Sequence, residues 1–251
     1  MKIFLYCFLL IVTLSCNKPD SDVTDSSQDT VLDEYPDWYT LKSPDDHMIL
    51  GVWGNYNKTV VISTGAKLFR TDDQGKHWKK VLQLTAILFG VVQYQDTLFA
   101  MNGLSNQTKQ AVYQQVLTTA DHYSVDDGKS WKRYSGSNHV LYDIPEFESA
   151  DKFLINPVFT PDKDTYKINM VFKNGPDATT GGFTTPGVIT SNGRRIDLPQ
   201  LHQLQSLFLD DQQRLYIACS DAVCGSENSF KFCNSQGGRG VVYISKKPLP
   251  R

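Results

Sequence analysis

The chain is 251 residues long, with 12% aromatic and 21% charged residues and a formal net charge of −2. That length holds one large all-β domain or two small ones. The aromatic content excludes a disordered chain, and the near-neutral balance excludes a polyanion binder such as a nucleic-acid-binding protein.

Lys2 opens an N-terminal run whose residues 3–14 are apolar, and Ser15 and Cys16 end it. The apolar stretch is too short for an ordinary membrane span. The run resembles a bacterial lipoprotein signal peptide over residues 1–15, with Thr13 where Leu is usual. The resemblance implies cleavage before Cys16, attachment of lipid to Cys16 and a place in the bacterial cell envelope, at the outer membrane. Residues 16–37 then set Lys18 against Asp20, Asp22, Asp25, Asp29, Asp33, Glu34 and Asp37. Such a segment buries too little apolar surface to offset its ordering entropy. It reads as a flexible acidic tether, which leaves 38–251 as the folded domain.

After residue 38 no long helical periodicity appears. Short runs of Val, Ile, Leu, Phe and Tyr alternate with Gly, Asn, Asp and Ser clusters, an all-β signature. The runs group into repeating units. The first unit takes in 48–54, 59–63, 67–71 and 77–82. The second takes in 86–94, 96–102, 121–125 and 130–134, with 103–118 as an inserted loop or short helix. The third takes in 152–159, 165–173, 187–191 and 194–198. The fourth takes in 204–209, 214–219 and 241–245 and lacks a last strand. The chain then ends in a proline-containing run that suits no paired strand. Residues 37–42 are the candidate to cover that open edge, with Trp38 as the aromatic of that strand.

The same turn occurs in the first two units. Thr71-Asp72-Asp73-Gln74-Gly75-Lys76-His77-Trp78 aligns without a gap on Ser124-Val125-Asp126-Asp127-Gly128-Lys129-Ser130-Trp131. Gly75 and Gly128 supply a backbone conformation that a side chain would strain. Asp73 and Asp126 can accept from turn N–H groups, and Trp78 and Trp131 can bury a large ring between sheets. Ser191-Asn192-Gly193 stands at the same place in the third unit. The pattern resembles the Asp-box of the sialidase-like, BNR-repeat β-propellers. The resemblance implies a β-propeller; counting the units gives four blades, with five as the alternative, and the open edge of the fourth unit implies a ring closed by the N-terminal strand in the last blade. Trp38 would then take the place of Trp78 and Trp131. The box is a folding device, and a calcium site at Asp72-Asp73 or Asp126-Asp127 would lack a spaced set of oxygen ligands.

The family's catalytic arginine sits in a Phe/Tyr-Arg-Ile-Pro motif before the first box, and no such motif occurs here. Arg70 and Arg133 fall in outer strands, and the five His residues have no metal-ligand spacing, so no catalytic residue, metal or cofactor is assigned. Glu146 and Glu148 could form a carboxylate pair, or lie in a solvated connector. Of the cysteines left in the body, Cys224 and Cys233 lie in a polar loop that a disulfide would staple, and Cys219 sits in an apolar run as a buried thiol. The expectation for function is a monomeric, lipid-anchored binding or assembly module. It would contact an envelope protein through loops 103–118, 139–151, 174–186 and 220–239. The alternative is a glycan-binding or glycan-hydrolysing protein, with Tyr94, Tyr113, Tyr123 and Phe183 as candidate sugar platforms.

Overall fold

The computed structural model describes residues 29–109, 112–135, 153–175, 182–225 and 230–250. Among these residues there are strands and turns but no α-helix. All strand pairing is antiparallel, in three sheets. The first is a meander of β2 (Gly51–Gly54), β3 (Val60–Thr64), β4 (Lys67–Thr71) and β5 (Lys79–Gln83). β3 reads Val-Val-Ile-Ser-Thr and is buried at every position, while β5 opens on two exposed lysines. The β-branched run thus sits in the middle of the sheet and the charged strand at its edge.

The second sheet holds β6 (Gly90–Tyr94), β7 (Thr97–Lys109) and β8 (Val112–Ser124). β9 (Lys132–Arg133) pairs with one end of β8 and β10 (Leu154–Asn156) with its middle. Residues 103–109 and 112–118, within the stretch 103–118 expected as a loop or short helix, instead prolong a hairpin whose register runs from Leu98↔Ser124 to Lys109↔Val112. Their Gln and Asn content suggested a loop. Leu104, Val116 and Leu117 nevertheless bury against Met101 and Phe153, and the ladder satisfies the backbone.

The third sheet runs in the order β1 (Trp38–Lys42), β17 (Val241–Ser245), β15 (Leu215–Cys224), β14 (Arg195–Leu209), β13 (Phe183–Thr190), β12 (Thr165–Phe172) and β11 (Val158–Phe159). β16 (Lys231–Phe232) pairs with β15. β1 pairs with β17 from Trp38↔Ser245 to Lys42↔Val241, so the N-terminal segment covers the edge that the fourth unit leaves open. Units three and four, expected as separate sheets, are joined. β14 pairs with β13 through its first half and with β15 through its second, with register shifts near His202. Residues 152–159, expected as one strand, divide at Pro157, which has no N–H to donate. β10 then joins the second sheet and β11 the third.

The body also begins earlier than expected. Val31 is buried, Thr40 Oγ1 donates to Leu32 O, and Lys42 Nζ lies 2.9 Å from Asp29 and 3.0 Å from Asp33. Residues 29–37 therefore pack on the domain instead of belonging to the tether. Their carboxylates have cations to meet, and Val31 adds apolar burial.

The sheets have two dissimilar ends. At one end lie the β2–β3 turn, both Asp-box turns and the β14–β15 turn. Arg70 Nε donates to Asp127 O at 3.0 Å, and Arg214 Nη2 to Asn55 Oδ1 at 3.0 Å. Arg214 Nε meets Asp210 Oδ2 at 2.7 Å, a pair buried on both sides. At the other end lie the β7–β8 tip, the start of β13 and the excursion from β15 to β17. The long excursions thus gather at the end opposite the Asp-box turns, which they share with the two-residue β3–β4 turn at Gly65-Ala66. Between the ends, Val52, Val91, Leu117, Leu154, Val158 and Leu207 line a common apolar cavity of about 290 Å³. They come from β2, β6, β8, β10, β11 and β14, so all three sheets face it.

Candidate functional site

The two box turns are superimposable in their bonding. Thr71 Oγ1 donates to Asp73 Oδ1 at 2.8 Å and accepts from Gly75 N at 3.0 Å, and His77 N donates to Asp73 Oδ1 at 2.9 Å. In the second turn the matching distances are 2.7 Å from Ser124 to Asp126, 3.0 Å from Gly128 N to Ser124 and 3.0 Å from Ser130 N to Asp126. Gly75 and Gly128 have φ of 81° and 75°, the left-handed region that favours glycine. Hydrogen bonds from the backbone and ring of His77 hold the Asp73 carboxyl down at about 2. The hydroxyl and backbone N–H of Ser130 hold the Asp126 carboxyl well below its ordinary range.

Each box also touches the preceding sheet. A Cβ on Gly75 would meet Leu41 of β1, and one on Gly128 would meet Val61 of β3. Trp78 packs with Tyr216, Val242 and Ile244, and Trp131 with Val61 and Leu68. Trp131 Nε1 donates to Gly128 O at 3.1 Å. Trp38 packs inside the third sheet, edge-on to Tyr243 at 6.1 Å. The third turn copies the pattern with Asn: Thr190 Oγ1 donates to Asn192 Oδ1 at 2.6 Å, and Arg194 N donates to the same oxygen at 3.1 Å. The Thr, Ser, Asp and Asn side chains named here bond within their own turns, while Trp78 Nε1 is buried without a hydrogen-bond partner, so these residues serve to hold structure.

Cys224 and Cys233 form the expected disulfide. Cys219 is a buried thiol whose Sγ donates to Val241 O at 3.0 Å, and burial pushes its pKa up, away from thiolate chemistry. Cys16, Glu146, Glu148 and the loop 139–151 lie outside the described residues, and Tyr113 lies where no side chain is described. Tyr123 packs edge-on to Tyr134 at 6.5 Å, a strand contact.

A groove of about 690 Å³ opens at the end with the long excursions. β12, β13 and the middle of β14 make its floor, and the end of β15 and Phe230 make one wall. Phe183 and Phe230 are 46% and 59% exposed, and Leu201 is 37% exposed, so the rim is apolar. Lys173 stands at the mouth, and no described lining residue is a carboxylate. Beneath it, the His202 ring lies 2.9 Å from Ser220 O and 2.9 Å from the Tyr243 hydroxyl. The carbonyl can only accept, so Nδ1 carries the proton and Nε2 accepts from Tyr243. Burial lowers the His202 pKa and keeps the ring neutral. The sequence reading named Phe183, and its contact loops 174–186 and 220–239 take in Phe230 and the end of β15, but it gave no contact role to Leu201 or His202. The run Leu198-Pro199-Gln200-Leu201-His202-Gln203-Leu204-Gln205 has no clean period-two alternation, because register shifts interrupt the strand there.

No family model and no curated protein matches the chain. Similar solved structures include the WD40 β-propeller domain of Doa1, at 9% identity over 83% of this chain and 96% of that one, with a TM-score of 0.35. YCF48 bound to D1 peptide is 10% identical over 84% of this chain and 73% of that one, with a TM-score of 0.28. Virginiamycin B lyase from Staphylococcus aureus is 15% identical over 77% of this chain and 58% of that one, with a TM-score of 0.25. Likeness at these scores assigns neither a family nor an activity.

Proposed function

We propose that this chain is a small β-propeller, held to a bacterial envelope membrane by lipid on Cys16, that acts as a non-enzymatic binding module for another envelope protein. Four blades fit the strand order. The two meanders are two blades, and β14 divides the large sheet into a third and a fourth that β1 completes. The cavity shared by all three sheets and the wedging of Trp78 and Trp131 against neighbouring sheets support a ring. Neither the central cavity nor the groove offers a carboxylate pair among its described lining residues, which favours binding over hydrolysis.

The observation that carries the reading is the gathering of the long excursions at one end, opposite the Asp-box turns. Rigid sheets that hold irregular segments at a common end suit recognition. A photo-crosslinking residue at Asn106, on the β7–β8 hairpin, tests it in intact cells against a control at Asn57, at the Asp-box end. A protein adduct from Asn106 and none from Asn57 is the expected result. Adducts from neither position, with glycan capture in their place, overturn the protein-partner reading.

A further inference from the structure

Several polar groups on the floor of the groove at the excursion end are already committed. Thr185 Oγ1 donates to His202 O at 2.7 Å and accepts from Leu204 N at 3.0 Å. Asn156 Oδ1 accepts from Ile168 N at 2.9 Å, and Gln205 Nε2 donates to Gln203 O at 3.3 Å. His202 has both ring nitrogens engaged. A ligand therefore gains mainly by apolar contact with Met170, Phe183, Leu201, Leu204, Val223 and Phe230. A peptide laid along this floor would bury N–H and C=O groups with few partners, at about 1–3 kcal/mol for each one left unpaired. A hydrocarbon chain carries no such groups. Lys173 at the mouth is exposed and is the one cation among the described lining residues that an anionic head would meet.

The chain also enters the body beside this groove. Thr30 N donates to Asn234 Oδ1 at 2.8 Å, and Gln200 Nε2 donates to Thr30 O at 2.7 Å. Gln200 precedes Leu201 of the rim, and Asn234 follows Cys233, the disulfide partner of Cys224 in the groove wall. Only residues 17–28 separate Asp29 from Cys16. Fully extended, the 13 steps from Cys16 to Asp29 reach at most ~47 Å. If Cys16 carries lipid, Asp29, where the chain enters the body, stays within that distance of a bilayer.

We propose that the groove between β12–β14 and the end of β15 binds the acyl chain of a membrane lipid, with Lys173 at its anionic head. The site goes beyond the protein-partner reading and rests on the lipid tether only for its nearness to the membrane. Its volume of about 690 Å³ lies within the ordinary range of small-ligand sites.

The test feeds a photoreactive, alkyne-tagged fatty acid to cells making the full chain. After irradiation, light-dependent adducts are mapped by peptide mass spectrometry. The expected adducts lie on the peptides bearing Phe183 and residues 201–205. They fall about tenfold in a Phe183→Glu, Phe230→Glu double variant, where charge is placed in an apolar site. Both side chains are exposed, so the variant keeps the wild-type melting temperature. If it does not, Lys173→Glu serves instead, and lowers labelling by the fatty acid but not by the matching fatty alcohol. No light-dependent adduct in the groove, or adducts undiminished in the variants, overturns the site. Light-independent label on the Cys16 peptide reads the tether separately, and its absence would sink the tether while leaving the groove result standing.

Discussion

Gly128 shows how a few atoms decide a turn. Its φ of 75° puts it in the left-handed region, and an added Cβ would stand 3.1 Å from Val61 Cγ2. Gly128→Ala should cost about 1–3 kcal/mol, the usual range for a side chain held there, and thermal melting reads it directly. Trp131 is half-buried against Val61 and Leu68, and Trp131→Ala should cost about 3 kcal/mol by the same measurement. His202 gives a pH dependence with a definite sign. Its folded pKa is lowered from 6.5, so above that value the ring is neutral in folded and unfolded chains alike. As pH falls below 6.5 the unfolded chain takes up the proton first, and stability declines. Melting temperatures across this window should fall in the wild type and fall less steeply in His202→Gln. The box carboxylates act lower. Asp73, held at about 2, contributes stability above the ordinary carboxylate range, and that contribution is lost as pH falls toward 2. These residue-scale features were readable as spacing for the boxes, because an Asp, a Gly and a Trp at fixed offsets bond within eight residues. His202 gave no such signal, since its partners Ser220 and Tyr243 are far along the chain.

Pairs of elements carry the next level. The Asp210–Arg214 pair, with side chains 2% and 5% exposed, joins the β14–β15 turn to Asn55 and Tyr216. Arg214→Ala leaves Asp210 buried without its cation and should cost about 3–5 kcal/mol, whereas replacing both partners with apolar residues of similar volume should cost much less. A double-mutant cycle in denaturant measures the difference. The disulfide closes a short loop over a sequence separation of 9. Cys224→Ser should lower stability by about 2–3 kcal/mol from loop-closure entropy, read as a shift in denaturant midpoint relative to the oxidised wild type. Individual strands such as β3 and β17 were legible because their β-branched runs are buried and uninterrupted. The β7–β8 hairpin was not. Its far half has the polar composition of a loop, and its strand form rests on a ladder that continues the inner half. The fusion of the third and fourth units was hidden for a related reason: β14 changes partners midway, and nothing in a local pattern records which strand lies alongside.

At the scale of the whole molecule, the amino-acid order was enough to establish an all-β chain, the repeated turns, the disulfide pair and a covering role for residues 37–42. Each of these rests on local chemistry or on counting: periodicity, fixed offsets within a turn, two cysteines in one polar loop, one strand short in the last unit. Folding in three dimensions settled the rest. It drew residues 29–37 onto the body through Lys42 and Thr40, it placed the long excursions together at one end, and it assembled a groove from β12, β13, β14, β15 and Phe230. Residues from Gln115 to Phe230 meet there only because antiparallel sheets bring distant segments side by side. A single chain read in order carries no record of that proximity, since burial and partner choice depend on the packing of the whole and not on any one neighbourhood.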